Sequence, residues 1–336
     1  MDFLHRILPA ISLLLILSLP CESTMAQWRD HTPPVNAHPL MLGQDQQDLT
    51  SVLVCADGAA VERPEQWWAA RRPELHDQWT EILGKLGPSS ADRQWFGDIT
   101  QATEIRREQK DGYTRIELLL PMEKDFQQPH LLLIPDEVSQ PCPAVIAWTS
   151  TSPDYMQPEE WWGAWLARRG CVVLTGWAFI RNYRDGTSYR NNVQQMVYDR
   201  FGRWLPMGKM VHDVQREVEF LTKLSTVQVD PERIGFIGFS LSAKTALYVA
   251  AFAPEIRATV SIDPHLAIYG SSNYPDPWYL DARQPFPDIR DVEYPDPALR
   301  KTVWSLLDTE PARPGFEHNH HELLALAAPR HLMIIG

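Results

Sequence analysis

Apolar and polar residues change period along this chain, and each change marks a different kind of element. Residues 27–63 contain Pro and Gln and show no sustained period, so they read as an irregular lead-in. Over 64–86 the apolar positions are Trp67, Trp68, Leu75, Trp79, Ile82, Leu83 and Leu86, the spacing of an amphipathic helix interrupted at Pro73, which has no N–H to donate. The period then falls to two. Thr114-Arg115-Ile116-Glu117-Leu118 alternates, and an apolar run over 131–134 follows a short turn region, as in antiparallel strands that open a sheet.

From Pro143 onward, strands and helices alternate. Ala144-Val145-Ile146-Ala147-Trp148 is an apolar strand. Pro158-Glu159-Glu160 opens a helix with Pro in the first turn and carboxylates at the positive end of its dipole. Arg168 and Arg169 close that helix and Gly170 ends it. Cys171-Val172-Val173-Leu174 is the next strand, and a loop-rich stretch runs to about Met207. Val214, Val218, Leu221 and Leu224 share one face of a helix over 211–224. A strand over 233–238, a helix over 241–252, a strand over 258–262 and a last strand over 332–335 complete the series. Fully apolar strands between helices predict an α/β fold, a mostly parallel sheet with helices on both faces. No internal repeat is present.

Composition narrows the partners. The 336 residues include 31 Lys+Arg against 43 Asp+Glu, a net charge of −12, which argues against nucleic acid because phosphate binding needs concentrated positive charge. With 44 % hydrophobic and 22 % charged residues the chain is globular rather than disordered. The 28 Pro and 13 Trp suit a loop-rich enzyme with aromatic-lined surfaces.

Residues 1–26 read as a secretory signal: Arg6 is a short basic start, 7–20 is apolar, and cleavage after Ala26 fits. An apolar run of about 14 residues is short for a membrane anchor, which needs roughly 20. The expectation is a secreted or periplasmic protein with no stable membrane span once the signal is removed. Cys55, Cys142 and Cys171 would remain, and three thiols cannot all pair within one chain.

The candidate chemistry centres on Ile237-Gly238-Phe239-Ser240-Leu241-Ser242-Ala243-Lys244, where a strand runs through Gly-x-Ser-x-small into a helix. Such a turn strains the serine and lifts its hydroxyl above the sheet, as a nucleophile requires. The Leu241 N–H, at the helix start, is placed for a developing oxyanion. The alternative is a serine that merely caps the helix.

Residues 229–263 resemble the α/β-hydrolase superfamily, in particular exported esterases related to acetyl xylan esterases, dienelactone hydrolases and prolyl-oligopeptidase-type domains. The shared residues are Val229-Asp230, Arg233-Ile234-Gly235, Gly238, Ser240 and Lys244. Two further stretches match: Asp276-Pro277-Trp278-Tyr279-Leu280, and His320-His321-Glu322-Leu323-Leu324-Ala325-Leu326-Ala327-Ala328-Pro329-Arg330. The resemblance covers roughly 60–336. It implies a division into the signal at 1–26, an N-terminal extension with a helical segment at 27–110, and an α/β-hydrolase domain at 111–336.

Several positions depart from the pattern. Phe239 stands where His is common, and Ser242 and Ala243 stand where glycines are usual. Trp148-Thr149-Ser150-Thr151-Ser152 replaces the usual oxyanion-hole pair, and there the backbone N–H of Thr149 is the candidate donor. In the superfamily the acid follows the strand that is here 331–335 and the base follows one strand later, so both usual positions, and the last strand or strands, are expected beyond Gly336. The substitute acid is Asp263, with His265, His320 or His321 as base, each with a loop, capping or packing role as the alternative. In glucuronoyl esterases, which this stretch also resembles, a Lys at the offset of Lys244 approaches the sugar; the Arg that precedes it there is Leu241 here. Trp67-Trp68 and Trp161-Trp162-Trp165 are candidates for sugar stacking or for core. The cluster Glu317-His318-Asn319-His320-His321-Glu322 fits no closed zinc ligand set.

The expectation is therefore an exported serine carboxylic ester hydrolase acting on acylated carbohydrate through an acyl-enzyme on Ser240, with no cofactor or metal. The rivals are a catalytically inactive truncated hydrolase and a prolyl-oligopeptidase-type peptidase.

Overall fold

The computed structural model describes residues 51–139, 141–149, 154–178, 197, 200–202, 204–264 and 318–336. The signal segment 1–26, His265, Glu317 and the stretch 276–280 lie outside the described residues. Among the described residues eight strands form one sheet: β1 (Thr103–Lys110), β2 (Tyr113–Glu123), β3 (Phe126–Pro135), β4 (Cys142–Trp148), β5 (Val172–Gly176), β6 (Val229–Phe239), β7 (Ala258–Ile262) and β8 (His331–Ile335). Their spatial order is β1-β2-β3-β5-β4-β6-β7-β8. The pairs β1–β2, β2–β3 and β3–β5 are antiparallel, and from β5 to β8 all neighbours are parallel. Among the described residues, a helical turn at Pro64–Gln66 comes first, followed by α1 (Arg72–Leu83), α2 (Ala164–Ala167), α3 (Pro206–Thr222), α4 (Leu241–Phe252) and α5 (His320–Ala327).

The period of two sorts each strand between two cores. All of β4 is buried. Ala144, Ile146 and Trp148 join the larger core, built with Leu75 and Trp79 of α1, Met210 and Val214 of α3, Leu247 of α4 and Leu323 of α5. Val145 and Ala147 join the smaller core on the opposite face, with Leu166 and Trp162 of the α2 region. Two buried faces explain why the central strands read as unbroken apolar runs.

β4 lies between β5 and β6, so the chain leaves it first to one side and later returns on the other. That reversal is a topological switch point, and in open α/β sheets the crevice beyond the carboxyl ends of the strands at such a point is where ligands bind. Trp148 pairs with Gly238, which sets the carboxyl ends of β4 and β6 side by side.

The structure departs from the sequence reading in several places. Pro73 does not break the first helix. A π turn over Trp67–Arg71 precedes it, and the widened turn absorbs the proline at the start of α1. Helix α3 begins at Pro206, ahead of its periodic face. Strand β1 was not expected: it is an edge strand with no buried face, so it carries no apolar alternation. Because β1 pairs with β2, and α1 contributes to the larger core, the sheet and its packing reach back into the stretch expected as an extension before residue 111. Cys55, Cys142 and Cys171 are free thiols. Among the described residues no helix is long and apolar enough to cross a membrane.

Arg330, in the turn before β8, closes the carboxyl end of α4. Its guanidinium donates to the carbonyls of Ala253 (2.7 Å), Ala251 (3.3 Å), Ile256 (3.3 Å) and Ala250. The carbonyls of Ala250 and Ala251, in the last turn of α4, have few partners within the helix, and a cation there opposes the negative end of the dipole. Arg330→Leu is expected to lower unfolding free energy by about 2 kcal/mol, the range for charge-assisted hydrogen bonds, read from urea midpoints at constant slope.

Candidate active site

The turn from β6 into α4 is set by steric contact. A Cβ added to Gly238 would lie 2.0 Å from the Ser242 carbonyl oxygen and 2.4 Å from its carbon. Only glycine lets the first turn of the helix sit so close to the strand. The chain must then reverse within Phe239 and Ser240, and Ser240 takes φ 55°, ψ −112°. A non-glycine residue held there costs about 1–3 kcal/mol, which the surrounding structure must supply. The Ser240 side chain caps no helix N–H, and a capping serine would be extended, so the simple cap is not what the chain builds. Its carbonyl accepts from Ala243 N–H (2.9 Å) and Lys244 N–H (3.1 Å), and its own N–H donates to the Ile262 carbonyl of β7 (2.9 Å). The side chain is half-buried at the carboxyl edge of the sheet. The Leu241 N–H is the first of α4, where no intrahelical carbonyl can reach it.

Asp263 follows directly from that contact. It succeeds Ile262, is half-buried, and has φ 58°; among the described residues Ser240 and Asp263 are the two non-glycine residues with positive φ. The Asp263 N–H donates to the Ile335 carbonyl at the end of β8 (2.5 Å). Strained backbone thus gathers at neighbouring strand ends, beside the switch point.

Thr149 is held differently from expectation. Its N–H donates to the Gly176 carbonyl (3.1 Å), so that group is committed within the sheet and the expectation of a Thr149 oxyanion donor is corrected. Its carbonyl accepts instead from the buried Ser242 hydroxyl. The serine standing where glycine is usual therefore ties the first turn of α4 to the exit of β4. Its small polar side chain was the signal, and its partner was not visible in sequence.

Phe239 packs edge-on against Trp161, with ring centroids 5.4 Å apart, so this pair stands next to Ser240. The other tryptophans divide. Trp67 and Trp162 are core, Trp165 lies under the Arg169 guanidinium at 3.6 Å, and Trp68 is exposed, with Arg72 over its ring at 5.6 Å.

Lys244, one turn beyond Ser240, is buried at 4 % exposure. His320, fully enclosed at the start of α5, packs edge-on against Tyr248 (6.1 Å), and neither ring nitrogen has a hydrogen-bond partner. Burial, followed by the charges of Lys244 and His321, pushes its pKa from 6.5 down to about 3. An imidazole that resists protonation so strongly is unsuited to take a proton at neutral pH, so the structure argues against His320 as the base. His321 is half-buried in the same turn. His318 Nδ1 lies 2.9 Å from Glu322, which also accepts from the Trp79 indole (2.7 Å). Among the described residues no group of three or more His, Cys, Asp or Glu is placed to hold a metal.

Comparison with known proteins bears on the fold. A family model described as the C-terminal region of BAAT and acyl-CoA thioester hydrolases matches residues 215–277, which include the β6 turn and Asp263. No curated relative matches the chain. Among solved structures, a glucuronoyl esterase from Solibacter usitatus aligns over 86 % of this chain and 79 % of its own, with 16 % identity and a TM-score of 0.55. A putative acetyl xylan esterase from Bacteroides fragilis aligns over 87 % and 76 %, with 17 % identity and a TM-score of 0.53. A promiscuous esterase from a marine bacterial metagenome gives 86 % and 78 %, 17 % identity and a TM-score of 0.54. At such identities the likeness is one of fold, and the fold is that of the α/β-hydrolases.

Two outcomes follow from the packing of this region. Gly238→Ala forces a Cβ into the Ser242 carbonyl and is expected to cost about 3 kcal/mol or more, seen as a collapse of the thermal transition. His320 stays neutral in the folded chain down to about pH 3, but in the unfolded chain it takes up a proton below about 6.5. Between these values the unfolded state binds more protons, so the contribution is present above pH 6.5 and is lost on acidification. Against His320→Leu, the native chain is expected to lose about 2 kcal/mol between pH 7 and 5 in parallel urea titrations.

Proposed function

We propose that this chain, with its α/β-hydrolase fold, is an exported serine ester hydrolase that cleaves carboxylic esters of carbohydrate. The observation that carries the reading is Ser240 at φ 55°, held there by the contact between Gly238 and Ser242. Strain of this kind is expensive, and a sharp strand-to-helix turn is how the fold exposes a nucleophile.

The chemistry then runs in two halves. Ser240 Oγ attacks the ester carbonyl and passes its proton to an imidazole base, which Asp263 orients and balances in charge. The carbonyl oxygen becomes an oxyanion that accepts from the Leu241 N–H, where the helix dipole favours negative charge. The base returns the proton to the departing alcohol, leaving Ser240 acylated. Water attacks the acyl group by the same route, releasing the acid and restoring Ser240. The residues in this scheme need no cofactor or metal.

Support for a carbohydrate ester, with the sugar on the acyl or the alcohol side, comes from two sources. Solved structures of this fold aligned with the chain are described as a glucuronoyl esterase and a putative acetyl xylan esterase. Trp161 and Phe239 also set an aromatic pair beside the nucleophile, a surface suited to the apolar face of a sugar ring. Export rests on the signal pattern of residues 1–26.

The test is hydrolysis of p-nitrophenyl acetate and of acetylated or uronoyl-esterified sugars by the chain and by Ser240→Ala. A fall of about a thousandfold or more in the variant is expected. Equal rates in both would sink the assignment of Ser240, and cleavage of prolyl peptides in preference to esters would move the reading to a peptidase.

A further inference from the structure

Behind β4, on the side of the larger core, a carboxyl group is buried with no lysine or arginine bonded to it among the described residues. Glu217 of α3 is fully enclosed. One oxygen lies 2.9 Å from His130 Nε2 and 3.0 Å from Trp148 Nε1, and the other lies 2.9 Å from the same indole nitrogen. His130, on β3, is also fully enclosed, and its Nδ1 lies 2.9 Å from the Gln128 carbonyl. Gly176 of β5 completes the group: a Cβ there would meet His130 Nε2, His130 Cδ2 and Trp148 Nε1, each at 3.1 Å.

Counting protons restricts what this cluster can be. A carbonyl only accepts, so the contact with Gln128 requires His130 Nδ1 to carry a proton. The contact between Nε2 and the carboxyl requires a second, because two lone pairs at 2.9 Å would repel. The pair therefore holds both protons, as imidazolium and carboxylate or as neutral imidazole and carboxylic acid, and is neutral overall in either form. Burial raises the pKa of Glu217, which helps keep the proton in place. The other charges on this stretch of α3 are committed elsewhere. Lys209 pairs with Asp213 and Glu123, and Arg216 donates to the carbonyls of Gly97 (2.8 Å) and Pro121 (3.1 Å).

The indole held by Glu217 belongs to the last residue of β4. The next residue, Thr149, donates its N–H to Gly176 and accepts at its carbonyl from Ser242, which packs on Gly238 beside Ser240. A continuous series of contacts thus runs from the buried acid to the nucleophile. We propose that Glu217 is a positioning residue for the Ser240 site: by sharing a proton with His130 and gripping the Trp148 indole, it holds the end of β4, and through Thr149 the first turn of α4, in the arrangement that lets Ser240 react. This rests on the ester-hydrolase reading for its catalytic consequence and on geometry alone for the positioning.

Glu217→Gln and Glu217→Leu separate the alternatives. In Glu217→Gln the amide can donate to His130 Nε2 and accept from Trp148, whereas leucine can do neither. Glu217→Leu is expected to lower kcat at least about tenfold with KM changed less than about threefold, and Glu217→Gln is expected to stay within about threefold of the native chain in both. Amide hydrogen exchange at Thr149 reads the positioning directly and is expected to be at least about tenfold faster in Glu217→Leu, while Glu217→Gln keeps its protection. Trp148→Phe deletes only the donor and serves if the leucine variant does not fold; the same direction of change in exchange and kcat is expected. Native exchange at Thr149 and native kcat in folded Glu217→Leu or Trp148→Phe would overturn the proposal, as would a glutamine variant as impaired as the leucine one. If the native chain turns over no ester, the hydrolase reading fails, and exchange at Thr149 in the same variants still decides the positioning.

Discussion

Gly238 lacks a side chain because the carbonyl of Ser242 occupies its place. With a separation of 2.0 Å to any Cβ, the strand and the helix could not coexist in this arrangement with another residue there. Everything at the carboxyl edge of the sheet inherits that approach. The reversal must be completed within Phe239 and Ser240, so Ser240 is driven to positive φ, and the first N–H groups of α4 emerge beside it. The neighbours then fasten the turn from either side: Ile262 of β7 accepts the Ser240 N–H, and the Thr149 carbonyl after β4 accepts the Ser242 hydroxyl. A strained residue persists only where its surroundings over-determine it, and here the surroundings are two parallel strands buried on both faces.

The larger core is unusually polar for the depth at which α3 lies. Lys209, Asp213, Arg216 and Glu217 all project from that helix into regions closed to water. Burial works against the charge on Lys209, but the carboxylates of Asp213 and Glu123 outweigh it and keep the ammonium protonated. Arg200 also reaches Glu123, so this carboxylate joins the β2 end to two cations. Such groups add little net stability, because desolvation offsets much of their attraction. In the native register of α3 the groups meet partners on neighbouring strands, and a slip would part Lys209 from Glu123 of β2 and Glu217 from His130 of β3.

The parts legible in sequence were those dictated by local pattern. The apolar runs of β4, β5 and β7, the alternation of β2 and the Gly-x-Ser turn all follow from residues close together in the chain. Strand β1 was hidden because Glu104, Ile105, Arg106 and Arg107 are all exposed and only Glu108 is half-buried, so no apolar periodic stripe forms. The partner of Thr149 is likewise not local. Its N–H is spent on Gly176, a partner that only the pairing of β4 with β5 brings within reach. His130, Trp148 and Glu217 come from three separate elements, and no spacing in the sequence announces their meeting. His320 looked like a catalytic candidate by residue type, and its enclosure beside Lys244 is what argues against that role.

The two edges of the sheet are chemically unlike. Along β1, Arg107 pairs with Glu104 and Arg106 with Glu108, so another strand arriving there would have to strip water from ionised groups. Along β8 the sequence is His331-Leu332-Met333-Ile334-Ile335, with Ile334 36 % exposed, and among the described strands only β7 pairs with it. Any strand that joins this sheet, from this chain or from another, therefore meets two different surfaces: at β1 it must displace the water held by paired ions, and beside β8 it meets apolar side chains. Growth of the sheet is favoured on one side only.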